Sequence, residues 1–271
     1  MTHREIILYW LTLGFEIALC ALVYFRSLQR RLPFFSVYVT ILLICTLCVG
    51  LVYGHFGFQS SISYYAGWIV VALTTIARSG AIAELCRYRL LAYRGIWALA
   101  WRSLSLLALL FIIHAALDAR GQPNWIGTYG LTIERDVEIS SVLILLALLL
   151  IRNYYGLPIE PLQRWIAVGI CFFCLVEVVN STELREIFTK YMFSWAEMKP
   201  QVERVNELWN TIRVSASIVS IGIWCYALRK PLPALAMEPE LLPAEIYGTL
   251  SPAINIRLRA FNDRLLEVLK P

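Results

Sequence analysis

The chain has 271 residues, of which 59% are hydrophobic and 16% are charged, and its formal net charge is +5. A soluble domain of this length is about half apolar and about a quarter charged, so the composition excludes an ordinary soluble globular protein. The apolar residues form continuous blocks of about 20 residues, long enough to cross a ~30 Å hydrocarbon core, and such blocks also exclude the alternating strands of a β-barrel. The sequence therefore predicts an all-α, polytopic integral membrane protein.

Seven transmembrane helices are predicted in chain order. Pro33 and Pro161 stand at first helical positions, where the missing backbone N–H of proline costs nothing. The first apolar block is too long for the core of a signal peptide and has no small-residue cleavage site, so we expect no cleavable leader. The predicted spans cover residues 5–25, 33–54, 62–86, 96–117, 134–152, 161–182 and 205–229.

The basic residues of the short connections predict the orientation. They follow spans 1, 3, 5 and 7, whereas the connection after span 2, GHFGFQSS, contains no lysine or arginine. Because positive charge is retained in the cytoplasm, the N-terminus is expected outside and the C-terminus in the cytoplasm, and we expect the plasma (inner) membrane. The basic residues are Arg26, Arg30, Arg31, Arg87, Arg89, Arg94, Arg152, Arg164, Arg229 and Lys230. Their place at span ends indicates lipid headgroup contact and not nucleic-acid binding.

The predicted connection between spans 6 and 7, residues 183–204, is long enough for a helix of its own. Apolar residues recur in it at helical spacing, with Trp195 as an anchor. It is predicted either as a helix lying in the outer membrane interface or as a lid over an outward-facing pocket.

Three regions follow from the pattern along the chain: a transmembrane domain over 1–230, a Pro-rich linker over 231–250, and an amphipathic cytoplasmic helix over 251–271. Ser251 supplies an N-cap and Pro252 a first-turn proline for this last helix. Its apolar face could lie on anionic lipid or bind a partner protein, and both alternatives stay open.

Span 7 carries a polar stripe. Its members recur at steps of four and three residues, which places them on one helical face: Asn206, Asn210, Arg213, Ser217 and Ser220. Lipid would leave such a stripe without hydrogen-bond partners, so the stripe is expected to face the bundle interior or a wet cavity.

Other polar residues lie near the predicted outer ends of spans 4, 5 and 6, namely His114, Glu138 and Glu177. Together with Asn210, Arg213 and Ser217 they predict an outward-facing polar pocket between spans 4 and 7 for a small-molecule or lipid ligand. Within it, Glu177 and Arg213 are the expected ion pair. The alternative is that small residues allow close helix packing and the charges satisfy one another.

A second polar group is predicted toward the cytoplasmic side. It contains Arg78 of span 3, Arg102 of span 4, Glu84 and Glu16. Arg78 and Arg102 are expected at similar depth, where each could extend to the membrane surface or pair locally. The alternative is a buried pair of cations with Glu16, Glu84 or an anionic lipid headgroup as counter-ion.

The sequence requires no cofactor. His114, Glu138 and Glu177 have the ligand types for a zinc-like metal, and two of His3, His55 and His114 could in principle hold a haem. Cys45-x-x-Cys48 and Cys171-x-x-Cys174 are more typical of small apolar residues than of a thiolate site. A retinal Schiff base is disfavoured because the lysines, Lys190, Lys199, Lys230 and Lys270, all lie outside the spans.

The number of spans and their orientation resemble the general plan of the seven-helix receptors. The family's motifs are missing, however: span 3 ends in Glu84-Leu-Cys-Arg87-Tyr88, and span 7 has no Asn-Pro-x-x-Tyr. The leading hypothesis is a sensor, receptor-like protein or ligand-binding scaffold. The alternatives are a transporter or channel for small solutes or ions, an intramembrane enzyme that uses His114 as a base or as a metal ligand, and an accessory subunit of a membrane complex. The sequence favours a non-enzyme.

Overall fold

The computed structural model describes residues 3–57, 60–90, 94–121, 125–155, 161–191, 199–229, 263–264 and 267–268. Over these residues the fold is all-α, as predicted, with seven long helices and a short 3₁₀ helix at Leu28–Arg30. The long helices are α1 His3–Phe25, α2 Pro33–Phe56, α3 Ser61–Leu90, α4 Arg94–Ala119, α5 Trp125–Tyr155, α6 Pro161–Tyr191 and α7 Lys199–Leu228.

Six of these helices are long and apolar enough to cross a membrane, which confirms a multi-pass integral membrane protein. The seventh is α5, whose first half carries Glu134, Arg135, Asp136 and Glu138. Short connections join successive helices, so neighbours in sequence run antiparallel.

Six helices form a closed ring in the order α1, α2, α3, α5, α6 and α7, with α1 packed on both α2 and α7. The helix α4 lies outside this ring, where it packs mainly on α5 and barely touches α3. Among its described side chains only Ala115 and Ala119 are buried. The ring arrangement means that α3 and α5, which are not neighbours in sequence, share an interface.

Aromatic residues of α2 and α7 pack together in one part of the ring. The Trp224 ring lies edge-on to Phe35 and Tyr38, at 5.4 and 6.0 Å between centroids. Its Nε1 donates to the carbonyl oxygen of Ile166 at 3.2 Å, and its indole lies directly against Gly169, where a Cβ would clash with it. The glycine therefore sets how closely α6 and α7 approach.

Glu84 of α3 caps the N-terminus of α2. Its two carboxylate oxygens accept hydrogen bonds from the backbone N–H groups of Phe34 and Phe35, at 3.2 and 3.0 Å. The first turn of a helix has N–H groups without helical partners and a partial positive charge, so a buried carboxylate is well matched there. The sequence predicted that Glu84 belongs to a polar group with Arg78, but in the structure Glu84 caps α2 instead.

The last three helices are longer than their apolar blocks predicted. The helix α5 begins at Trp125 and not near 134, α6 continues to Tyr191 and not to 182, and α7 begins at Lys199 and not at 205. Charged residues do not end a helix, because helical backbone groups bond to one another whatever the side chains are. A separate interface helix over 183–204 is thus wrong for 183–191 and 199–204, which continue α6 and α7. Residues 192–198 lie outside the described part, and the lid stays a prediction.

The Pro-rich linker over 231–250 lies outside the described residues, as does most of the amphipathic helix over 251–271. Asp263, Arg264, Glu267 and Val268 are helical and exposed. The domain boundaries and the orientation of the termini stay predictions.

Candidate functional site

Five charged side chains meet inside the ring, and we call them the polar centre: Arg78 of α3, Glu134 and Glu138 of α5, Glu177 of α6, and Arg213 of α7. Four of them, all except Glu134, lie within three residues of the midpoint of their helix. Glu177 and Arg213 also lie inside the apolar stretches Pro161–Thr182 and Leu208–Leu228. The cluster is therefore enclosed by several helical turns on either side.

The first ion pair of the polar centre joins α3 to α5. The Arg78 guanidinium donates to the Glu138 carboxylate, and their side chains are 3% and 0% exposed. The Phe173 ring of α6 covers the guanidinium at 4.9 Å. Of the two predicted alternatives for Arg78, extension to the membrane surface is wrong and pairing with a nearby group is what the structure shows, because its charge is buried against a carboxylate.

The second part of the polar centre is organised by Arg213, which contacts two carboxylates at once. Its Nη2 donates to Glu134 Oε1 at 2.8 Å, and its Nη1 lies 3.8 Å from Glu177 Oε2. The Trp209 ring lies 5.2 Å from the guanidinium carbon. One arginine of α7 thus links α5 and α6, and the expected Glu177–Arg213 contact is the longer of its two.

Glu134 was missed by the sequence reasoning. It is the first residue of predicted span 5, where it would lie at the membrane surface, whereas in the structure it lies one helical turn before Glu138 inside α5 and its side chain is 3% exposed. A spacing of four residues puts both carboxylates on one helical face. This four-residue spacing was the signal in the sequence that could have identified Glu134 as a site residue. It is informative only if α5 begins before residue 134.

The stripe residues of α7 flank Arg213. Asn210 and Ser217 lie about one turn on either side of it and are partly exposed, as is the Arg213 side chain at 19%. Ser220 is buried and donates to the carbonyl oxygen of Gly169 at 3.1 Å. The Asn206 side chain lies outside the described residues. The polar centre is therefore most accessible along α7.

Buried polar atoms without a hydrogen-bond partner are concentrated at the polar centre. Among the described residues there are six such atoms: three belong to the polar centre itself, one is on Trp209 beside Arg213, one is on Thr75 about a turn before Arg78 on α3, and Glu16 Oε2 lies elsewhere. Each orphaned group costs about 1–3 kcal/mol when water is excluded. The others are Thr75 Oγ1, Arg78 Nε, Glu177 Oε1, Trp209 Nε1 and Glu138 Oε2, although the Cys174 thiol is a weak donor next to the Glu138 carboxylate.

The structure does not bring the predicted cytoplasmic-side group together. Arg102 is exposed on α4, outside the ring, so it does not accompany Arg78. Glu16 accepts a hydrogen bond from Thr46 at 3.0 Å at the α1–α2 contact, and Glu84 caps α2. The division into two groups also fails, because Arg78 of one pairs with Glu138 of the other.

His114 is separated from the polar centre. Its side chain is 54% exposed, and its Nδ1 lies 2.6 Å from Asp136 Oδ2, so it joins α4 to the outer face of α5. The described residues contain no group of three or more His, Cys, Asp or Glu side chains arranged to hold a metal ion. All seven cysteines are free thiols. A metal shared by His114, Glu138 and Glu177 is not supported by this placement.

No protein-family model, no curated protein and no solved structure matches this chain. Its function is therefore argued from the chemistry of the polar centre.

Proposed function

We propose that this membrane protein is a sensor or ligand-binding scaffold that binds a small polar molecule at the polar centre. The observation that supports the proposal most directly is the concentration of orphaned buried donors and acceptors around Arg78 and Arg213. These atoms include both kinds of partner: carboxylate oxygens that accept and the Trp209 Nε1–H that donates. A ligand with a donor and an acceptor would satisfy groups that the helices themselves leave unsatisfied.

A purely structural role explains the polar centre poorly. Burying an ion pair costs desolvation energy comparable to the attraction it gains, and apolar side chains of similar volume stabilise a helix interface at least as well. Ionisable residues in the middle of transmembrane helices are for this reason typical of functional sites. The partly exposed Asn210, Arg213 and Ser217 give a ligand a route to the buried carboxylates along α7.

The proposal is tested by ligand-induced thermal stabilisation. The purified protein is screened against a panel of small ammonium, carboxylate and zwitterionic compounds, and each compound that raises the Tm of the wild-type protein is repeated on Glu177→Ala and Arg213→Ala. We expect both variants to lose the shift. Leu208→Ala, an exposed position on the same helix, is the matched control and should keep it.

A stabilising compound whose Tm shift is the same in wild type, Glu177→Ala and Arg213→Ala would place its site elsewhere and end the proposal. Circular dichroism of each variant without ligand separates loss of binding from loss of folding.

A transporter of small solutes or ions is the second candidate, and the closed ring favours it. Six helices surround a cluster that extends from Arg213 through Glu134 and Glu138 to Arg78 at mid-depth in the ring, which is where transporters typically bind their substrate. Solute flux into proteoliposomes that falls in Arg78→Ala and Arg213→Ala alike would support this function over sensing.

A further inference from the structure

The polar centre carries unequal numbers of opposite charges. Two guanidinium groups face three carboxylates, so the formal charge of the cluster is −1 when every group is ionised. An uncompensated charge in the interior of a membrane protein costs several kcal/mol, in the order of magnitude found for buried ions. The cluster therefore requires one further positive charge.

The three carboxylates differ in how well the arginines compensate them. Glu138 is in direct contact with Arg78, and Glu134 accepts a hydrogen bond from Arg213 at 2.8 Å. Glu177 is 3.8 Å from Arg213, which is too long for a hydrogen bond, and its Oε1 has no partner. Glu177 is thus the carboxylate whose negative charge is least stabilised.

Among the described residues, the charged groups that face Glu177 come from each helix packed against α6. They are Arg213 from α7, Glu134 and Glu138 from α5, and Arg78 from α3. Glu134 and Glu138 repel a charge on Glu177, and each arginine already has a closer carboxylate of its own. A metal cation is not favoured, since the described acidic residues form no metal-binding group.

We propose that Glu177 binds a single exchangeable proton, which makes the polar centre neutral. In the binding step the partnerless Oε1 of Glu177 takes a proton from a hydronium ion. One O–H bond of the hydronium breaks, one O–H bond forms on the carboxyl group, and a water molecule is left. With the proton bound, Glu177 is neutral and Arg213 pairs with Glu134 alone. The structure agrees with this state, because Arg213 is closer to Glu134 than to Glu177. When the proton leaves, the new charge on Glu177 competes with Glu134 for Arg213.

This competition couples the proton to the ion pairs that join three helices. Arg213 lies on α7, Glu134 on α5 and Glu177 on α6, so a shift of the guanidinium strengthens the α6–α7 ion pair at the expense of the α5–α7 ion pair. The inference concerns the same polar centre as the proposed ligand site and rests on that site only for its biological meaning. The proton itself needs no other ligand.

Infrared difference spectroscopy tests the proposal on the full-length, ligand-free protein in detergent. The carbonyl stretch of a protonated, buried carboxyl group is recorded as a function of pH. In the wild type we expect a band that disappears as the pH is raised, and Glu177→Gln, which resembles the protonated side chain, should lack it. A band of unchanged intensity in Glu177→Gln would overturn the proposal.

Glu134→Gln provides a second, independent readout. It removes one negative charge and frees Arg213 for Glu177, so the band should appear only at lower pH than in wild type. Asp136→Asn, on the same helix but paired with His114 and Arg135, is the matched control and should leave the band unchanged. If Glu134→Gln titrates as the wild type does, the proposed coupling is wrong.

Two further controls keep the result interpretable. Glu16 is also buried with an orphaned oxygen, so Glu16→Gln identifies any band that belongs to it. If Glu177→Gln does not fold, the pH shift in Glu134→Gln decides the question alone. The spectra are recorded without ligand, so the two proposals fail separately. A missing band would refute proton binding by Glu177 and leave the ligand-binding proposal intact. A band in a protein whose Tm no compound raises would refute ligand binding and leave proton binding intact.

Discussion

Two parts of the same ring treat buried polar groups in opposite ways. Around Trp224, the indole N–H donates to a carbonyl, and the nearby Ser220 hydroxyl does the same. Around Trp209, on the same helix α7, the indole N–H has no partner. One tryptophan is integrated into the packing of α6 and α7, whereas the other lies beside Arg213 with an unused donor.

The carboxylates show the same contrast. Both oxygens of Glu84 accept backbone N–H groups of α2, so its burial completes a helix end. Glu177 is at least as deeply buried, yet one of its oxygens has no partner and the other only a distant arginine. Since an orphaned buried group lowers stability, a site that keeps several of them is more plausibly retained for binding than for folding.

The largest stability effect is expected at the Arg78–Glu138 pair. Glu138→Ala leaves the Arg78 charge buried without the carboxylate that contacts it and should lower the free energy of unfolding by about 3–5 kcal/mol. Equilibrium unfolding in detergent measures it. Arg78→Ala/Glu138→Ala removes both charges and should recover part of the loss. A single variant that unfolds like the wild type would mean that this pair resembles an exposed ion pair.

The stability of the protein should depend on side-chain volume around Trp224, whereas at the polar centre it should depend on charge. Gly169→Ala places a Cβ against the indole and should destabilise the protein by about 1–3 kcal/mol, the usual cost of overpacking. Gly222→Ala on α7 is the matched control, because nothing lies within 4 Å of its Cβ position. That variant should be neutral or slightly stabilising, as alanine is the better helix former. Equal unfolding midpoints for the two variants would contradict the close α6–α7 contact.

The Glu84 cap should have an intermediate effect. Glu84→Ala exposes two backbone N–H groups of α2 without partners and should cost about 1–2 kcal/mol of stability, the range of lost helix caps. Ile76→Ala, an exposed position on the same helix, controls for general perturbation of α3. Amide hydrogen exchange at Phe34 and Phe35 localises the change. Unaltered exchange there would show that Glu84 is not the cap.

The sequence predicted the helices through their apolar lengths, and this signal ends where the apolar residues end. It located α1 to α4 to within a few residues, because a membrane sets the length of an apolar block. It shortened α5, α6 and α7, whose ends continue as charged helix. Glu134 was lost from the site for that reason.

The pairing of helices was the part that could not be predicted. The periodicity of span 7 indicated which face of α7 is polar, and the structure brings Arg213 of that face to Glu177. By contrast, the prediction that Arg78 and Arg102 belong to one polar group assumed that the consecutive spans 3 and 4 pack together. In the structure α4 lies outside the ring and α3 packs on α5, so Arg78 meets Glu138. Many weak side-chain contacts together decide which non-consecutive helices pack against each other. These contacts cannot be read from a single sequence.

The smallest stability effect, and the sharpest comparison, is expected from the two tryptophans of α7. Trp224→Phe removes a donor and leaves the Ile166 carbonyl unpaired, so it should destabilise the protein by about 0.5–1.5 kcal/mol beyond the loss of ring area. Trp209→Phe removes an N–H that has no protein partner, so the ligand-free protein should be almost unaffected. Unfolding curves of the two variants give both values.

If the Trp209 N–H serves a ligand, its loss becomes visible only when that ligand is bound. The Tm shift produced by a stabilising compound should then shrink in Trp209→Phe and persist in Trp224→Phe once each is compared with its own ligand-free Tm. A Trp209→Phe variant that is destabilised without ligand as much as Trp224→Phe would instead mean that both indole groups are structural. The contrast between the two regions would then have no functional meaning, because the orphaned atoms of the polar centre would already be satisfied within the folded protein.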